Sequence, residues 1–128
     1  MQNPENNFET LIKHAKSMLG RSYDELKRKY LSYPISLTVH VDKKENTFEQ
    51  FIKIRFSEQC AITTLNFDQT EKCDAVYLFF ENRNDEDIFI EYLAESYDFY
   101  FKENRWLIYD CFLKVKDIND IFYFYFHK

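Results

Sequence analysis

The hydrophobic positions of this chain change their period along its length. Phe8, Leu11, Ile12, Ala15 and Leu19 recur at helical spacing, and Asn3 followed by Pro4 has the form of an N-cap with proline in the first turn. Gly20, the only glycine, falls where a helix C-cap needs positive φ, so a first helix is predicted over about residues 4–19. In "SYDE", Ser22 and Glu25 have capping-box spacing and open a second short helix with Leu26 and Tyr30 on one face; Pro34 marks its end.

Beyond Pro34 the period becomes two. "ISLTVHV" sets Ile35, Leu37, Val39 and Val41 against Ser36, Thr38 and His40, and the charged loop "DKKENT" leads into "FEQFIKIRF", where Ile52, Ile54 and Phe56 oppose Lys53 and Arg55. "CAITTLNF" and "CDAVYLFF", joined by the short linker "DQTEK", extend this to an antiparallel meander. "NRNDEDIFIEYLAESYD" interrupts the alternation and predicts a third helix at about 85–97, with Asn84 or Asp85 as cap and acids in its first turn. "DFYF" and "WLIYDCFLKV" bracket the turn "KENR", in which Asn104 tolerates a left-handed conformation.

The terminal "IFYFYFH" alternates too, with Phe122, Phe124 and Phe126 on one face and Ile121, Tyr123, Tyr125 and His127 on the other. An edge strand of this composition would invite aggregation, so it is expected to pair inside the sheet with its Phe face in the core. The Tyr face either packs under a helix or contributes to a binding surface. The order of elements gives an α+β fold: an antiparallel sheet of about five to seven strands packed against two N-terminal helices and one mid-chain helix, as a single domain over residues 1–128.

Composition agrees with a compact fold. Aromatic residues make up 20% of the chain, glycine occurs once and proline twice, which excludes disorder and low complexity. No stretch approaches the roughly 20 apolar residues of a membrane helix and the N-terminus has no signal-peptide pattern, so a cytoplasmic protein is expected. Cys60, Cys73 and Cys111 are widely separated, and reduced, buried thiols are expected rather than disulfides or zinc ligands.

The chemistry is sparse. One glycine leaves no room for a phosphate loop, a dinucleotide fingerprint or a nucleophile elbow, and no cofactor is implied. His14, His40 and His127 read as solvated or structural. Asp110 in "WLIYDCF", taken as one strand, would share an apolar face with Trp106, Ile108 and Phe112, a setting that raises a carboxyl pKa; with His40 and Tyr109 it is the candidate for a ligand pocket or enzymatic site. "NDED" lacks the glycine and terminal glutamate of an EF-hand loop, so no metal site is assigned.

Charge is uneven. The formal net charge is -5, and residues 65–128 hold 7 Lys/Arg against 14 Asp/Glu. That balance argues against nucleic acid and for a basic protein partner. On the third helix Asp87, Glu91, Glu95 and Asp98 are spaced to share one face, with Asp85 and Glu86 extending it and no Lys or Arg between positions 84 and 101. Together with Tyr123 and Tyr125, these acids are the expected partner-binding residues. In general character the chain is similar to the immunity proteins with which bacteria neutralise toxins such as nucleases, which implies a non-catalytic inhibitor of a cognate basic toxin. A homodimer paired through the terminal strand is the other association considered.

Overall fold

The computed structural model describes residues 4–45, 47–57, 60–67, 72–118 and 121–128. Helix α1, Pro4–Met18, opens at the expected proline, while Asn3, its expected cap, lies outside the described residues. It buries Phe8, Ile12, Ala15 and Met18 and stops at Gly20, which takes φ 84. Helix α2, Tyr23–Lys29, has Ser22 as N-cap, its hydroxyl accepting from the Glu25 backbone N–H at 3.1 Å. The linker between the two helices is itself tied to the sheet: Gly20 N–H donates to the Cys73 carbonyl and Cys73 N–H to the Arg21 carbonyl, each at 2.7 Å.

Among the described residues the strands are β1 Ile35–Asp42, β2 Thr47–Ser57, β3 Cys60–Phe67, β4 Cys73–Phe80, β5 Phe99–Tyr100, β6 Arg105–Ile108, β7 Cys111–Ile118 and β8 Ile121–His127. They form one antiparallel sheet of eight strands in the order β1-β2-β3-β4-β8-β7-β6-β5. The α+β class is therefore the observed one, and the strand count rises to eight because "WLIYDCFLKV" supplies two strands, β6 and β7. The sheet is two meanders joined at the middle. Helix α3, Arg83–Ser96, carries the chain from β4 to the far edge, and β5 to β8 step back until β8 meets β4.

The terminal strand thus lies at the centre, with Leu78 opposite Phe124 on one side and Val115 opposite Phe124 on the other. Both of its backbone edges are occupied. This answers the aggregation hazard of an apolar terminus, and β8, paired on both sides, is not placed as an open edge for the alternative homodimer. Phe124 and Phe126 are fully buried, worth about 1.5–3 kcal/mol each relative to exposure. Phe122 is half-buried.

All three helices lie on the same side of the sheet. Ile52, Ile54, Val76, Leu78, Leu113, Phe124 and Phe126 face them and join Ile12, Leu26, Phe89 and Leu93 in one core. Phe89 meets Phe124 edge to face at 4.7 Å and Phe8 at 5.2 Å, so one ring couples α3 to both α1 and the sheet.

Two local expectations change. The α3 cap is Asn82, not Asn84 or Asp85: its Oδ1 accepts from Asp85 N–H at 2.8 Å and its Nδ2 donates to the Asp85 carboxylate at 2.7 Å. "WLIYDCF" is not one strand. It folds back at Tyr109 and Asp110, with Ile108 paired to Cys111 and Tyr109 at φ 57. The aromatic at that turn carries no sequence sign of a reversal, since Gly, Asn or Asp usually supplies the positive φ. The other left-handed position, Asn104 at φ 54, is the expected one.

Candidate protein-docking surfaces

Helix α3 packs through Phe89 and Leu93, which leaves Asp87, Glu91 and Glu95 exposed along its outer side. Asp98 is exposed as well but lies beyond the last helical residue, Ser96, and its carbonyl accepts from Leu107 N–H at 3.0 Å. The stripe is therefore three helical acids and a fourth on the following segment. Among the described residues, the ion pairs join Lys16 to Asp110, Arg21 to Glu25, Arg55 to Glu81 and Arg105 to Glu103, and none involves the stripe.

Two of the predicted docking acids are used otherwise. Glu86 is 5% exposed; burial pushes its carboxyl above the ordinary value, against the lowering effects of a backbone hydrogen bond from Phe122 and of nearby Arg83. Asp85 is half-buried and engaged with the Asn82 cap. Tyr123 and Tyr125 lie on the opposite side of the sheet from α3, because their neighbours Phe124 and Phe126 point at the helices. One compact partner surface cannot cover both sets.

The aromatic group that does adjoin the stripe was missed in the sequence. Immediately after Asp98 the tip of the β5–β6 hairpin presents Phe101, 86% exposed, whereas Tyr100, 42% exposed, is opposite Arg105 and turns to the side of the sheet away from the helices. Phe101 touches Phe99 edge to face at 5.0 Å, and Phe99 rests on Trp106 at 4.7 Å. A groove of about 560 Å³ lies beside this tip and opens toward Arg105 and Phe112, on the side of the sheet away from the helices. Ile88, 39% exposed, adds an apolar spot beside Asp87 and Glu91. The missing signal was the position of "FYF" at a turn: read as strand, it gave no reason for a ring in solvent.

A different carboxylate is fully engaged. Glu9 on α1 accepts from the hydroxyls of Tyr92 at 2.5 Å, Tyr97 at 2.8 and 2.9 Å and Tyr109 at 2.5 Å. Burial pushes its carboxyl up, but the hydroxyls of Tyr109, Tyr92 and Tyr97 and the nearby charge of Lys13 outweigh that and hold it below the usual range. Tyr92 is pushed up to about 12 by burial and by its bond to Glu9, and Tyr97 is raised for the same reasons. With its lone pairs occupied by phenols, this carboxylate acts as a clasp between α1, α3 and the β6–β7 turn.

Asp110 does not occupy the apolar pocket expected of it. Its side chain is 68% exposed and pairs with Lys16 at 3.3 Å, and that hydrogen bond holds its carboxyl below the ordinary value, opposite to the expected shift. Tyr109, its expected companion, is bound to Glu9, and the side chain of His40 lies outside the description. His14 is half-buried in a nest of Tyr30, Tyr33 and Phe56 with its Nδ1 2.8 Å from the Tyr30 hydroxyl, and burial lowers its pKa. His127 stacks on Tyr125 at 5.0 Å rather than fraying. Cys73 and Cys111 are buried cysteines, with the Cys111 thiol pushed up to about 11 by burial; the side chain of Cys60 lies outside the description.

Compared with known proteins, the chain matches no family model, no curated protein and no solved structure. No helix among the described residues is long and apolar enough to cross a membrane.

Proposed function

We propose that this chain is a non-catalytic inhibitor that binds a basic protein, of the kind bacteria keep in the cytoplasm as immunity proteins against their own toxins. The reading rests on one observation above the others. A phenylalanine 86% exposed, Phe101, follows a stripe of acids that have no ion pair among the described residues. An exposed ring is an interface anchor in waiting, and unpaired acids around it supply steering toward a cationic target. A nuclease toxin must present cations to phosphates, so it is the partner class that this surface suits best.

The supporting chemistry divides between rate and lifetime. Asp87, Glu91, Glu95 and Asp98 would accelerate encounter, an effect that falls with salt, while Phe101 and Ile88 would be buried on contact and slow dissociation. Glu86 and Asp85 are withdrawn from the docking set by their packing, and Tyr123 and Tyr125 by their side of the sheet.

The test is capture of the partner from the native host at low salt, followed by binding kinetics. Glu91→Lys with Glu95→Lys should lower the association rate at least tenfold at low salt and flatten its salt dependence, with unchanged circular dichroism. Phe101→Ala should act on dissociation, costing about 2 kcal/mol, or roughly 30-fold in Kd. Capture of a single basic protein that neither variant weakens would overturn the assignment of this surface.

A further inference from the structure

The side of the sheet turned away from the helices has a chemistry that the net charge conceals. Alternation sends Tyr77 and Phe79 of β4, Tyr123 and Tyr125 of β8 and Phe112 of β7 to this side, all half-buried. They form a connected field: Tyr77 lies 4.9 Å from Tyr125, and Phe79 lies 5.8 Å from Tyr123.

Cations stand over these rings. Lys116 Nζ is 4.3 Å from the centre of Tyr125 and donates to the Tyr77 hydroxyl at 3.3 Å. Lys53 lies 5.1 Å over Phe79, and the Arg105 guanidinium 3.5 Å over Phe112. Lys114 is directly opposite Tyr125 in the ladder. Among the described residues no ion pair involves Lys53, Lys114 or Lys116. The carboxylates at the margin are Glu103, held by Arg105, Glu81, held by Arg55, and Asp74, near enough to act on Tyr125.

We propose that this helix-free face binds single-stranded nucleic acid. Charge complementarity selects a polyanion: three lysines with no carboxylate partner among the described residues and an arginine face outward together, on a protein of net charge -5. The rings select the kind of polyanion. An acidic polypeptide would use the lysines and leave the aromatic planes idle, whereas an unpaired strand offers phosphates to the cations and base faces to the rings. The platform from β2 to β6 spans five strand spacings, about 24 Å at roughly 4.8 Å each, which accommodates a few extended nucleotides. A duplex, whose bases are already stacked, gains little from such a surface. Tyr125 is the centre of the site, since Tyr77, His127 and Lys116 all contact it.

This site is on the opposite side from the α3 stripe and stands independently of the inhibitor reading. The test is fluorescence anisotropy of the full chain with labelled oligo-dT and oligo-U of about twelve nucleotides, a length that exceeds the platform. Saturable binding at low salt is expected, with log K falling against log salt at a slope of about -2 to -3, as for three or four phosphate contacts. Lys114→Glu with Lys116→Glu should weaken binding at least tenfold; Lys116→Ala, a milder change, should weaken it detectably with an unchanged circular dichroism spectrum. Tyr125→Phe should retain affinity, and Tyr125→Leu should lose about fivefold or more because the stacking plane is gone. No binding at low salt, or equal affinity for Tyr125→Leu and the parent, would overturn the proposal. So would competition by poly-glutamate at equal charge, which would identify the face as a dock for an acidic protein.

Discussion

Glu9 and Glu91 are both glutamates on helices that pack against the same core, and they have opposite surroundings. Three tyrosine hydroxyls converge on Glu9. Glu91 is exposed, in a stripe with no ion pair among the described residues. The first carboxylate is spent on holding the fold together, and the second is left for something outside it. Charge along the sequence does not distinguish the two. What does is whether distant segments bring donors to the oxygen atoms.

The sharpest way to break this comparison is to remove Glu9. Glu9→Ala leaves the hydroxyls of the part-buried Tyr92 and Tyr97 without their acceptor and unfastens α1 from α3 and from the β6–β7 turn. Hydrogen bonds to a charged group contribute about 1.5–3 kcal/mol each and do not add fully, so a loss of about 2–4 kcal/mol is expected in urea unfolding. Glu9→Gln keeps an acceptor and should lose about half as much. If Glu9→Ala unfolds at the same urea concentration as the parent, the clasp contributes nothing.

None of this cluster was legible in the sequence. Glu9 is separated from Tyr92, Tyr97 and Tyr109 by 83, 88 and 100 residues, and pattern rules reach only along one element. Elements whose boundaries are local were legible: Gly20 ends the first helix, Ser22 caps the second, and the strands of "CAITTLNF" and "CDAVYLFF" begin and end where alternation does. The reversal at Tyr109 was hidden because an aromatic residue takes the left-handed role. The placement of β8 against β4 was hidden because "IFYFYF" specifies which face is buried and not which strand lies beside it. The acidic stripe was visible from spacing alone, apart from Asp98, while the ring that adjoins it, Phe101, needed the hairpin to be seen.

The clasp at Glu9 also ties stability to pH. Tyr92 has its pKa raised from 10 to about 12, and Tyr97 is raised in the same direction, so the folded protein holds these protons more tightly than the unfolded chain. The contribution of Tyr92 is intact below pH 10 and is lost as pH rises through about 12; that of Tyr97 is lost in the same direction. For Glu9, whose folded pKa is lowered from 4.5, the contribution is intact above pH 4.5 and is lost as pH falls through the folded value. The melting temperature of the parent should therefore fall at both extremes, and Glu9→Ala should flatten both limbs. Parallel curves for parent and variant would show that other groups set the pH range.

The smallest expected effect on stability falls on the stripe, and its sign is what matters. Like charges four residues apart on a helix cost roughly 0.2–0.5 kcal/mol per pair. Glu91→Gln with Glu95→Gln removes the repulsions of Asp87 with Glu91 and of Glu91 with Glu95. The doubly neutralised protein should unfold at the same or a slightly higher urea concentration, by less than about 1 kcal/mol. A loss of stability would mean that these acids hold structure in the way Glu9 does, and the stripe would cease to be a docking surface. A gain in stability accompanied by slower capture of a basic partner would identify residues kept at a cost to the fold for a contact outside it.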